Sequence, residues 1–229
     1  MLEIYAVKLE KEIRNDIYEG IFSCIPLEKQ NRIKRFRRFE DAHRATIAEA
    51  LIRSIIISVL GIKNEDMEFK TNEYGKPYLE GADNFHYNLS HSGEYVVCAV
   101  SDKPVGIDIE RIKDMKFDIA ERFFSKEETQ SLLSIDEEYR LERFFDFWTL
   151  KESYIKADGK GLSIPLDSFS FQIKEDEICL TTQNELFGCF FKQYNIDKNY
   201  KLSACSLVKE FPDHVIFKEE KELYEIMSR

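Results

Sequence analysis

Helical spacing and strand alternation follow one another twice along this chain, with no Pro-, Gly- or Ser-rich linker between the two runs. In the first run, residues 1–9 alternate as a strand does, and Pro26 stands where the first turn of a helix tolerates a proline. Apolar positions then recur at helical spacing through Ile33 and Phe36. Residues 41–60 read as a longer helix with Gly61 in place to cap it. Strands are expected at 67–71, 85–89, 95–101 and 105–109, parted by the turn formers Tyr74-Gly75-Lys76-Pro77 and Ser92-Gly93. The second run opens on Ser125 and Glu128, a capping-box spacing, and continues with a helix over 139–157 that Asp158-Gly159 ends. Strands follow near 169–173, 178–181, 187–194 and 202–208, and a helical tail starts at Glu219. This order predicts the α+β class, built as two similar halves, 1–102 and 103–229, packed together.

Charge and cysteine content narrow the field. The net charge of −10 repels nucleic acid and anionic membrane. Against that background Lys29, Arg32, Lys34, Arg35, Arg37, Arg38 and Arg44 face only Glu40 and Asp41 within one short stretch. Such a patch points to one anionic ligand or partner, or to a solvated helix face. Five scattered cysteines contain no CxxC pair, which argues against a zinc site and for a reducing compartment. The charged N-terminus lacks a signal-peptide core, and the most apolar run, 51–60, is interrupted by Arg53 and too short to span a bilayer. The expectation is a soluble cytoplasmic protein that binds neither membrane nor nucleic acid.

Three clusters can carry chemistry. Asp108 and Glu110 lie two apart on an expected strand, so both carboxylates project from one face. Like charges that close are costly without a cation between them, and a hard divalent ion with oxygen ligands answers that need; a solvent-facing acidic pair is the plainer alternative. Trp148, Glu152 and Lys156 share a helix face, either as a further carboxylate and a phosphate-facing cation or as an ordinary Glu–Lys pair beside a buried ring. Asn88-Leu89-Ser90-His91-Ser92-Gly93 ends a strand in a polar turn that can donate to phosphate oxygens. It is not a nucleophile elbow, because Asn88 stands where that motif needs glycine. Lys76 is a turn lysine with no value of its own.

Taken in order, Gly75-Lys76-Pro77, Asn88-Leu89-Ser90-His91-Ser92, Gly106-Ile107-Asp108-Ile109-Glu110 and the stretch from Trp148 to Lys156 closely resemble the surfactin-synthetase-type phosphopantetheinyl transferases. Further likeness lies at Glu40-Asp41-Ala42-His43-Arg44, Arg122-Phe123-Phe124-Ser125 and Gly159-Lys160-Gly161-Leu162-Ser163, so the resemblance spans nearly the whole chain. It implies a pseudo-twofold pair of α+β halves with coenzyme A in the cleft between them, acting as a monomer. It implies that Asp108, Glu110 and Glu152 bind Mg2+, or Mn2+ in its place. Lys76, Ser90 and His91 would hold nucleotide phosphates, Lys156 the pyrophosphate, and Lys29, Arg32 and Arg44 the adenosine 3′-phosphate end. The implied reaction moves phosphopantetheine onto a serine of an acyl or peptidyl carrier protein. Glu152, or a metal-bound water, would accept the serine proton, with Glu128 as a helper. The apolar residues 117–124 would serve as a carrier-docking surface or, more in keeping with phenylalanine's habit, as core. A nucleic-acid binder using the basic stretch, a silent coenzyme- or carrier-binding module, and a serine hydrolase built on Ser90 and His91 are the competing classes.

Overall fold

The helix expected over 41–60 starts two residues earlier in the computed structural model, which describes residues 1–10, 14–115, 118–174 and 177–229. This helix, α3 (Phe39–Leu60), ends where Gly61 takes a left-handed φ of 68° and returns its N–H to the Ile57 carbonyl. It lies on a sheet whose strand order is β11-β1-β5-β4, from Ile216–Lys218, Leu2–Lys8, Tyr95–Ser101 and His86–Ser92. The second half repeats the plan. There α6 (Glu137–Asp158) packs over a sheet of order β6-β10-β9, from Val105–Arg111, Tyr200–Ser206 and Phe190–Gln193. Both long helices have 22 residues.

Strand β5 explains how the halves join. Its sequence, Tyr-Val-Val-Cys-Ala-Val-Ser, is apolar on both faces because both faces are buried. Val96, Cys98 and Val100 face the core beneath α3, with Ile47, Leu51 and Ile55. Tyr95, Val97 and Ala99 face a second core shared with Ile107, Ile109, Leu202 and Ala204 of the other half. Each large aliphatic side chain so buried contributes about 1.5–3 kcal/mol. A third core of Phe124, Phe144, Phe147, Leu150 and Tyr154 lies around α6.

Several elements depart from expectation. Helix α1 (Asn15–Cys24) and the short strand β3 (Pro77–Leu79), paired with β2 (Phe69–Thr71), carried no signal strong enough to read. The strand expected at 187–194 is trimmed to β9 because Gly188 turns the chain at φ 72°. The tail does not stay with the second half: β11 pairs parallel with β1, and α7 (Glu220–Met227) packs on α1 and α3. That return covers the edge of β1 that β5 leaves free. Helices α2 (Leu27–Ile33), α4 (Asp118–Phe123) and α5 (Lys126–Ser134), the hairpin β7–β8 (Ser170–Lys174, Glu177–Thr181) and three short 3-10 turns complete the described elements. No described helix is long and apolar enough to cross a membrane.

Candidate active site

Strand β6 presents Val105, Ile107 and Ile109 to the shared core and Gly106, Asp108 and Glu110 to the opposite side, beneath α6. Where α6 crosses Gly106 the approach is so close that a β-carbon would lie 2.0 Å from the Ser153 carbonyl oxygen. Glu152 and Lys156 flank Ser153 on the same helix, so this contact fixes their height above the two strand carboxylates.

The edge of β6 facing β4 is closed by side chains instead of a backbone ladder. The Ile107 N–H donates to Asn88 Oδ1 (2.9 Å), the Ile109 N–H to Ser90 Oγ (3.3 Å) and the Arg111 N–H to Ser92 Oγ (3.0 Å). Each serine then passes its own proton onward, Ser90 to Asp108 Oδ1 and Ser92 to Glu110 Oε2, both at 2.8 Å. One seam therefore joins the halves and aims the two carboxylates. Asn88 and Ser92 went unrecognised in this role, although a polar residue at every second position of β4 was the available signal.

Lys156 Nζ donates to Asp108 Oδ1 at 2.6 Å, to Ser90 Oγ at 3.1 Å and to the Ile107 carbonyl at 3.4 Å. The other oxygen of Asp108, Oδ2, is buried without a hydrogen-bond partner. Burial, and then the Asp108 charge, raises Glu110 above the usual carboxylate range. The same two causes in the same order push Glu152 up to about 7. The site thus holds more negative charge than Lys156 offsets. Among the described residues no three Asp, Glu, His or Cys side chains are gathered tightly enough to grip a metal ion as they stand.

The remaining expected residues sort by position. His91 is exposed and lines a recess of about 260 Å3 with Lys29, Arg32 and Glu49. Partial burial, and then the Arg44 cation, holds its imidazole below the usual value. Lys29 is paired to Glu49 at 2.6 Å, and Arg44 donates to the Gly93 carbonyl at 2.9 Å while bonding to Asp41. A second recess, of about 180 Å3, lies between Tyr74, Gly75, Lys76 and Pro77 on one side and Ile155, Lys156 and Gly159 on the other. A third, of about 150 Å3, opens beside Glu110 and is lined by Met115, Ile119, Phe144, Phe145 and Trp148.

Two expectations need correction. Lys76 turns its ammonium onto the protein's own backbone, donating to the carbonyls of Lys156, Ala157 and Val105. Glu128 is engaged in a separate set of buried bonds. It is 1% exposed and completes the capping box of α5, accepting the Ser125 and Phe171 N–H groups at 2.8 Å each. Its partner is Lys151, equally buried and 2.8 Å away, which also donates to the Leu166 and Phe169 carbonyls. Breaking such a pair strands a charge in the core. Lys151→Met is therefore expected to lower urea stability by about 3–5 kcal/mol, and a loss below about 1 kcal/mol would contradict a structural role for the pair. Of the apolar residues at 117–124, Phe124 is core and Phe123 is 38% exposed against the Trp148 ring, while Phe117 lies outside the described residues.

The chain is similar to known proteins along nearly its whole length. The 4′-phosphopantetheinyl transferase superfamily model matches residues 104–205, and the 4′-phosphopantetheinyl transferase N-terminal model matches 13–103. The 4′-phosphopantetheinyl transferase Sfp of Bacillus subtilis (strain 168) is 37% identical over 97% of this chain and 100% of its own length. The 4′-phosphopantetheinyl transferase gsp of Aneurinibacillus migulanus is 41% identical over 90% of this chain and 86% of its own length. The 4′-phosphopantetheinyl transferase psf-1 of Bacillus pumilus is 39% identical over 93% of this chain and 94% of its own length. The chain belongs to the 4′-phosphopantetheinyl transferase family and is an enzyme of that class.

Proposed function

We propose that the chain transfers the 4′-phosphopantetheine arm of coenzyme A to a serine hydroxyl of an acyl or peptidyl carrier protein, releasing 3′,5′-ADP. The observation that carries this reading is the surplus of carboxylate at one point of the cleft between the halves 1–102 and 103–229. Asp108 Oδ2 is buried and unpartnered, and Glu152 is pushed up to about 7 by burial and its acidic neighbours. An all-oxygen donor set of this kind fits a hard divalent cation, so Asp108, Glu110 and Glu152 are the residues that would hold Mg2+, or Mn2+. When bound, the cation supplies neutralisation of the charge that grows on the pyrophosphate.

The chain's own groups divide the remaining work. The serine oxygen forms a bond to the β-phosphorus of coenzyme A, and the bridging bond to the α-phosphate breaks. Glu152 accepts the serine proton. Lys156, now on Asp108, turns to the α-phosphate as it leaves and steadies its charge. Lys29, Arg32, Arg44 and His91 gather the adenosine 3′-phosphate end, with Lys29 exchanging Glu49 for the ligand. Ser90 orients Asp108.

Intact mass spectrometry of apo carrier proteins incubated with this protein, coenzyme A and Mg2+ tests the reading. The expected result is one phosphopantetheine gained on serine, lost with EDTA and with Asp108→Ala. Coenzyme A binding without mass gain on any carrier would favour a silent binding module instead.

A further inference from the structure

The last turn of a helix leaves carbonyls without partners, and a buried helix end must find donors for them elsewhere. In α6 the Gly159 N–H satisfies only the Ile155 carbonyl. The carbonyls of Lys156 and Ala157 are satisfied from the other half of the molecule, by Lys76 Nζ at 2.5 and 3.1 Å. The same ammonium reaches the Val105 carbonyl at 3.2 Å, at the start of β6. One side chain therefore ties the end of α6 to the beginning of the strand that carries Asp108.

The turn holding Lys76 is itself built for this. Asn72 Oδ1 accepts the N–H groups of Tyr74 (3.0 Å) and Lys76 (2.8 Å), and Gly75 takes a left-handed φ of 89°. Asn72 Nδ2 then donates to the Gly159 carbonyl at 3.0 Å, so the turn grips the helix end at two points. We propose that Lys76 is a positioning residue for Lys156, holding its backbone from the opposite half so that its ammonium reaches Asp108 and the reacting phosphates. This assignment rests on the transfer reading above, and it replaces a phosphate-binding role for Lys76.

Desolvation dominates at this position and lowers the lysine to about 8. The groups facing it are Asp158 of α6 and Cys205 of β10, which favour the ammonium, and His86 of β4, whose own value Lys76 lowers. As pH rises through about 8, the ammonium becomes an amine and one of three carbonyls loses its donor. The grip is thus complete below pH 8 and weakens above it.

The test compares wild type, Lys76→Met and Lys76→Arg as full chains with a carrier protein, coenzyme A and Mg2+ across pH 6–9.5. Wild-type kcat is expected to fall on an alkaline limb near pH 8. Lys76→Met is expected to lose about tenfold in kcat at pH 7, with KM for coenzyme A within about twofold and the limb gone. Lys76→Arg, which stays charged, is expected to keep most of kcat and show no limb in this range. A rise of about tenfold in KM for coenzyme A at unchanged kcat would restore the phosphate-ligand role and overturn the proposal. So would a limb that stays near pH 8 in the arginine variant, which decides the matter even if the methionine variant does not fold. Amide hydrogen exchange in the last turn of α6 reads the grip without turnover: protection at fixed pH should drop in Lys76→Met and return in Lys76→Arg. Wild type that modifies no carrier would sink the transfer reading alone, leaving exchange to decide Lys76.

Discussion

Glu152→Gln is expected to lose carrier modification by about a thousandfold or more while unfolding at a higher temperature than wild type in metal-free buffer at pH 7.5. The two effects share one cause. Burial and the Asp108 charge lift the Glu152 carboxyl from about 4.5 in the unfolded chain to about 7 in the fold. The folded state therefore binds the proton more tightly. Stability contributed by this group is present below pH 4.5 and is lost as pH rises through 7, so at pH 7.5 the ionised side chain works against folding. Glutamine removes the charge while keeping the shape. Allowing for partial exposure, the gain is about 1–2 kcal/mol, or on the order of 2–8 °C for a chain of this size. Added Mg2+ should raise the melting temperature of wild type more than that of the variant. A variant no more stable than wild type in EDTA would show that the carboxylates are not in mutual conflict.

Gly106→Ala is the second large effect, and it comes from packing instead of charge. The new β-carbon would sit 2.0 Å from the Ser153 carbonyl oxygen and 2.5 Å from the Ala157 nitrogen. Both are backbone atoms of α6, so no side chain can swing aside. The helix must lift from the strand, carrying Glu152 and Lys156 away from Asp108 and Glu110 and stretching the bonds to Lys76. Displacement of about 1 Å in a catalytic group commonly costs a hundredfold, and overpacking of this kind costs about 3 kcal/mol or more. Gly61→Ala is the contrasting control, since no atom lies within 4 Å of its β-carbon and only the left-handed φ of 68° is strained. It should lose about 1–2 kcal/mol and keep turnover. Urea midpoints and kcat for both variants check the contrast; a stable, fully active Gly106→Ala would refute the close-contact argument.

The sequence was most legible where one segment's own periodicity decides its structure. The helices α3 and α6, the strands β5 and β6 and the capping box at Ser125 and Glu128 all follow from local spacing and end signals. So does the shared face of Asp108 and Glu110, which needs only the two-residue repeat of a strand. Helix α1 was harder because its N-cap position, Arg14, offers no side-chain cap, and β3 because it is three residues long and begins with proline. What spacing could not show is pairing across the chain. Nothing local says that Ser90 and Ser92 bond to β6, that β11 returns to β1, or that Lys76 reaches the end of α6. Glu128 illustrates the limit best: its cap was readable, but its Lys151 partner, and with it the buried structural role, belongs to tertiary packing.

The most direct test of the site is anomalous diffraction at the manganese edge from crystals grown with coenzyme A and Mn2+. A peak bounded by Asp108, Glu110 and Glu152, with the pyrophosphate beside it and Lys156 turned to the phosphate, is the predicted result. Coenzyme A bound with no peak among these carboxylates, and Lys156 still on Asp108, would contradict it.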